Sequence, residues 1–166
     1  MRTRRLVPVI TALAATLMSV SLAAPVAAAP GAGPHGTLTL VMKQTQREVV
    51  DLGATGTTIG DVVTGGGDLR RSAQGAVLGT WNYRAETVRV DIPGGSESRL
   101  TTQWYALGKG SIMVSGLVSI QQGTRPTKPH PLVIVGGTGI YTGARGTMTL
   151  LPKGPDDYIA TFHFVS

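Results

Sequence analysis

The chain has 166 residues, 14% of them charged, with a formal net charge of +6 and no cysteine. The absence of cysteine excludes disulfide staples, thiolate nucleophiles and cysteine–metal sites, so burial of apolar surface must carry the fold. The length suits one domain.

Arg2, Arg4 and Arg5 precede an apolar run, Leu6 to Ala24, and Ala27-Ala28-Ala29 follows with small residues for cleavage. This pattern reads as a secretory signal peptide over residues 1–29 and predicts an extracellular protein. Pro8 and Pro25 bracket the run and argue against a membrane anchor, so no membrane association is expected once the signal is removed. Without it, twelve basic residues face nine acidic ones, about +3. Apart from Arg70-Arg71 they are scattered, with no stripe interleaved with aromatics, which reads as solvated surface charge and excludes a nucleic-acid partner. His35, His130 and His163 lie far apart without paired-ligand spacing, so no metal site is expected. No organic cofactor is implied either.

Residues 30–36 form a Pro/Gly/Ala tether, and the domain spans 37–166. Thr37 to Met42 begins a strand that Gln46 to Leu52 continues or pairs with. Gly53-Ala54-Thr55-Gly56 is turn material, and Thr57 to Val63 is β-prone again. Thr64-Gly65-Gly66-Gly67-Asp68 is expected to be a loop, because glycine loses more conformational entropy in a strand than any other residue. Ala76–Tyr83 and Glu86–Val90 follow, then a turn at Pro93-Gly94-Gly95. Leu100–Leu107 and Ser111–Ile120 flank Gly108-Lys109-Gly110 as a hairpin, and residues 124–129 form a loop with two prolines.

Two readings compete for Pro131 to Leu151. A strand followed by Gly136-Gly137-Thr138-Gly139 begins as a dinucleotide-binding turn does, with Asp157 about 20 residues further on. That fingerprint needs a helix next, whereas Gly143, Gly146, Thr147 and Thr149 are poor helix formers and Pro152 follows. The favoured reading is a tight connection between two strands. In the last strand, Asp157–Val165, Tyr158, Ala160, Phe162 and Phe164 share one face. Eight or more strands, regular turns and no ten-residue segment that prefers helix predict an all-β sandwich or barrel. Because neither face of the last strand is fully polar, a homo-oligomer (trimer or dimer) is expected.

Gly136-Gly137-Thr138-Gly139, an aromatic at Tyr141 and Ala144-Arg145-Gly146 together resemble the late hairpin of the dirigent and allene-oxide-cyclase barrels. Ile59-Gly60-Asp61-Val62-Val63 resembles their early "GD" strand, and Ala73-Gln74-Gly75 resembles their alanine–glutamine–glycine turn. Tyr105-Ala106-Leu107-Gly108-Lys109-Gly110 resembles their central hairpin. The resemblance spans about Gly36 to Val165 and implies an eight-stranded barrel, usually trimeric, with an apolar cavity open at one end. It implies a hydrophobic small-molecule ligand and cofactor-independent cyclisation, isomerisation or stereoselective coupling, achieved by orientation. The alternatives are a non-catalytic carrier with the same cavity and a secreted interaction protein with a filled one.

The resemblance places Arg145 in the pocket wall as a catalytic candidate. Pointing inward, it would carry Thr147 and Thr149 with it and leave Met148 and Leu150 outside; pointing outward, it is a surface arginine. Asp61 and Asp68 are the acids that would pair with it, since a buried charge needs a partner. Asp61 equally reads as a turn residue bonding its own backbone. Asp68 ends a flexible glycine loop placed to close the barrel mouth, with a solvated loop acid as the competing reading. Tyr83, Trp104, Tyr105 and Tyr141 are ligand-wall candidates, although adjacent Trp104 and Tyr105 cannot both face inward. For each aromatic, ordinary core packing is the competing reading.

Overall fold

The computed structural model describes residues 33–91 and 95–165; the expected signal peptide, most of the expected tether and the expected turn at Pro93-Gly94 lie outside the described residues. Eight strands run in chain order: β1 Gly36–Val50, β2 Val62–Arg70, β3 Val77–Asp91, β4 Ser96–Leu107, β5 Gly110–Gln121, β6 His130–Gly137, β7 Gly146–Pro152 and β8 Asp157–Phe164. Each pairs antiparallel with its neighbours in sequence, and β8 returns to β1, closing the barrel. Closure gives every strand a hydrogen-bonded neighbour on both sides. The expected all-β, eight-stranded antiparallel barrel is therefore the fold found.

Alternation sets the interior. On β8, Tyr158, Ala160 and Phe162 are buried with Phe164 packed against them, and they meet Leu40 and Met42 from β1 and Met148 and Leu150 from β7. Leu69, Tyr105, Ile112, Leu132 and Ile134 complete this core. Tyr105 and Phe162 meet edge to face with ring centroids 4.9 Å apart, and burying each large side chain stabilises by roughly 1.5–3 kcal/mol.

The glycine triple is not a loop. Gly65, Gly66 and Gly67 lie inside β2, where their pairing with β1 flanks a register shift between Gln44 and Gln46. Thr45 is the extra residue of this bulge. A Cβ on Gly67 would run into the Lys43 carbonyl, and one on Gly66 would come within 2.5 Å of the Trp81 carbonyl. Close backbone approach here outweighs the entropic cost of glycine in a strand. The bulge also resets the alternation of β1: Leu40, Met42 and Gln44 are buried before it, and Arg47, opposite Gly65, takes the inner face after it.

The segment Pro131–Leu151 is a hairpin, not a phosphate loop. β6 pairs with β7, and the connection carries only the three-residue 3-10 turn Gly139–Tyr141. Gly139 has φ +61° and lies against Lys109 of the β4–β5 turn, where a side chain would clash. Thr138 donates its amide to the Ser111 carbonyl, and its hydroxyl accepts the Ser111 amide at 3.1 Å. These bonds fasten the glycine motif over one end of the barrel.

In an up-and-down barrel, alternate connections gather at opposite ends. The β1–β2, β3–β4, β5–β6 and β7–β8 connections share one end; the β2–β3, β4–β5 and β6–β7 connections share the other with both termini of the barrel.

Candidate functional site

Tyr105, Phe162 and Ile112 are fully buried, so the barrel is filled toward its β6–β7 end. Toward the end where β1 runs into β2 a cavity of about 60 Å³ remains, enough for roughly four waters, and it opens to solvent. Buried Trp81, Arg99, Thr101, Gln103 and Val63 form the inner wall. Half-buried Arg47, Arg125 and Pro126 form the rim.

One side of the wall is aromatic. Trp81 and Tyr83 stand two apart on β3, both inward, with rings 5.4 Å apart and 14° from parallel. Tyr158 closes the corner edge-on to Trp81 at 6.2 Å. Burial pushes the Tyr158 hydroxyl above its ordinary range, so it stays protonated at neutral pH.

The polar side comes from β4, whose inward positions are Glu97, Arg99, Thr101, Gln103 and Tyr105. Glu97 is 0% exposed and Arg99 9%. The Arg99 Nη2 lies 2.5 Å from Glu97 Oε1. That contact is an ion pair by distance without hydrogen-bond alignment: both Glu97 oxygens and Arg99 Nε lack hydrogen-bond partners, as does Trp81 Nε1. Tyr105 donates its hydroxyl to the Gln103 side-chain oxygen, which leaves the Gln103 amide nitrogen as a donor in the cavity wall. Gln44 donates to the Tyr83 oxygen at 3.1 Å, which frees the Tyr83 hydroxyl proton.

Arg125 crosses the rim. Its Nη1 contacts Asp156 Oδ1 at 2.7 Å and the Pro155 carbonyl, joining the β5–β6 and β7–β8 connections. The bond to Asp156 raises the Arg125 pKa further.

Of the residues singled out from sequence, only Tyr83 lines this cavity. Arg145 is exposed and sits in the β6–β7 connection, at the opposite end of the barrel. The inward reading of Arg145 with Thr147 and Thr149 is reversed, since Met148 and Leu150 are the buried residues of β7. The cause is register: Met148 stands opposite Leu132 and Phe162, all three in the core.

Asp61 is buried near the cavity end but faces its own loop. It accepts the Leu52 amide at 2.8 Å, the Thr58 amide at 2.7 Å and the Thr58 hydroxyl at 3.0 Å. The Thr58 and Leu52 amides hold its carboxyl below the usual range. Asp68, expected in a mobile loop, lies on β2 beside fully buried Leu69, faces outward and pairs with Arg70 at 3.0 Å. Arg145, Asp61 and Asp68 are thus not brought together. Tyr105 is core and Trp104 is 43% exposed on the outer face, as adjacency required. Tyr141 stacks on Phe164 at the far end.

Sequence reasoning missed Trp81, Glu97, Arg99, Gln103, Arg47 and Arg125. The signal for three of them was present: Glu97, Arg99 and Gln103 alternate with Leu100 and Trp104 in β4, an inversion of the usual apolar-inside pattern. Arg47 was hidden by the bulge, which sequence alternation cannot reveal.

Residues 39–164 match the family described as allene oxide cyclase barrel like domain. Among solved structures, the chain is similar to a pyocyanin demethylase, at 24% identity and TM-score 0.65, covering 78% of this chain and 99% of that one. It is also similar to an exo-specific intermolecular Diels-Alderase, at 18% identity and TM-score 0.56 over 78% of this chain and 97% of the other. A pterocarpan synthase dirigent protein aligns at 15% identity and TM-score 0.52, over 80% and 90% of the respective chains. No curated protein matches the sequence. At these identities the likenesses speak for the fold.

Proposed function

The chain belongs to the allene oxide cyclase barrel-like family, and from that premise we propose that it binds a hydrophobic small molecule in the cavity beside Trp81 and directs its cyclisation or coupling without a cofactor. The observation that carries this reading is the cavity itself. It sets a stacked aromatic pair, Trp81 and Tyr83, against a buried Arg99–Glu97 pair. The aromatic wall fixes the orientation of a planar substrate, which lowers the entropic barrier to ring closure. Arg99, itself buried, supplies positive charge that stabilises negative charge developing on a carbonyl or phenolic oxygen. Glu97 holds the guanidinium in place.

The reading extends to the whole protein. The 1–29 segment is proposed as a secretion signal and the barrel as its exported cargo. Leu100, Trp104, Leu117, Val133 and Val135 are exposed on the outer faces of β4, β5 and β6, with Leu100 directly opposite Leu117. Such a patch favours burial against further copies, so a homo-oligomer is proposed as well.

The test incubates the purified protein with a small-molecule extract of its own culture, then compares extract and bound fraction by mass spectrometry. A new compound of unchanged mass, absent with Trp81→Ala, supports cyclisation. A compound retained unaltered makes the protein a carrier. The absence of both a new product and a retained compound counts against the reading.

A further inference from the structure

The cavity offers donors and almost no acceptors. Arg99 and Trp81 line the cavity, and their buried Nε and Nε1 atoms have no hydrogen-bond partner among the described residues. The Gln103 amide nitrogen and the Tyr83 hydroxyl proton are left over by their own bonds to Tyr105 and Gln44. Among the described residues Arg47 forms no ion pair, and it reaches the cavity only because the β1 bulge turns it inward.

Charge points the same way. Three guanidiniums line the space, Arg47, Arg99 and Arg125, while no carboxylate does. Glu97 offsets Arg99, and Asp156 offsets Arg125. Arg47 leaves one positive charge uncompensated at the rim. Unsatisfied buried donors are costly, so a fitting ligand supplies acceptors for them.

We infer that the cavity is built for a planar, conjugated monoanion, with its ring system against Trp81 and Tyr83 and its carboxylate or enolate oxygens toward Arg47 and Arg99. This inference rests on the small-molecule reading above and narrows it to an anionic class. A neutral hydrocarbon would fill the aromatic side and leave every donor unpaired. A monoanion instead gains charge-assisted hydrogen bonds from the guanidiniums. Because the enclosed space is small, the ligand extends through the mouth, where Arg47 and Arg125 flank it.

The experiment titrates the full protein with 2-naphthoate and with its neutral counterpart 2-naphthamide. A Trp104→Phe background leaves Trp81 as the sole tryptophan, so quenching of its emission reports occupancy of the cavity. The expected result is naphthoate binding about tenfold tighter than naphthamide, a gap that shrinks as salt rises. Arg47→Gln, at a side chain with no ion-pair partner among the described residues, should close most of that gap. The double change Glu97→Leu with Arg99→Met removes the buried donor without stranding a carboxylate, and should narrow the gap as well. Equal affinity for the two probes overturns the anionic class while leaving the hydrophobic-ligand reading intact. A gap that persists in both variants also overturns it. Quenching by neither probe overturns the cavity reading and this inference together.

Discussion

Replacing Arg99 with glutamine is the sharpest energetic test of the interior. Glu97 is wholly buried, and Arg99 is its only charged neighbour within ion-pair distance among the described residues. Removing the guanidinium strands a carboxylate whose two oxygens already lack hydrogen-bond partners. Breaking a buried pair from one side costs about 3–5 kcal/mol, whereas replacing both partners with apolar residues of similar volume is often neutral. Arg99→Gln should therefore lower the urea midpoint by about 2 M, taking a slope of about 2 kcal/mol per M. Glu97→Leu with Arg99→Met should stay within about 1 kcal/mol of the parent. Urea unfolding at pH 7, followed by circular dichroism, measures both. A single change costing under about 1 kcal/mol, or a double change that costs the sum of the two singles, would refute the argument that the pair is mutually dependent.

Asp61→Asn should cost about 2 kcal/mol at pH 7, since an amide nitrogen cannot accept the Thr58 or Leu52 amide. Because the folded carboxyl titrates below its unfolded value of about 3.9, its contribution is full above that pH and fades as pH falls through the folded pKa. The gap between parent and variant, read by denaturation from pH 7 to pH 3, should narrow at the acid end. Gly67→Ala should cost about 1–3 kcal/mol by thermal unfolding because its Cβ meets the Lys43 carbonyl at the bulge. Gly108→Ala, which meets open space, should change stability by less than about 0.5 kcal/mol. Arg145→Ala should alter neither stability nor probe binding measurably, as the side chain is exposed at the end remote from the cavity.

The barrel was legible because its strands announce themselves. Tyr158, Ala160 and Phe162 alternate as a buried face must, and Gly108-Lys109 joins β4 to β5 as a two-residue turn. The glycine triple misled because its entropy argument is local, while its cause lies across the sheet in the bulge at Thr45. The site was harder to read for the same reason. Motif resemblance pointed to Arg145 and Tyr141, which cap the filled end of the barrel. Arg47 faces inward only through the bulge, and Arg125 is held at the rim by Asp156, the Pro155 carbonyl and Gln44, partners far from it in sequence. Asp61 shows the opposite case: the resemblance suggested a pocket acid, while its turn chemistry, the plainer reading, accounts for all three of its bonds. The polar alternation Glu97, Arg99, Gln103 was visible all along, and it is the pattern that marks the cavity wall.

The most direct test of the account asks where a ligand sits. Amide chemical-shift mapping of the ¹⁵N-labelled protein during titration with 2-naphthoate would locate it. The account predicts that the largest changes fall on Trp81, Tyr83, Arg99, Gln103 and Arg125, with Gly139 to Arg145 unmoved. Changes centred on Gly139 to Arg145, or on the outer face at Leu100 and Leu117, would contradict it.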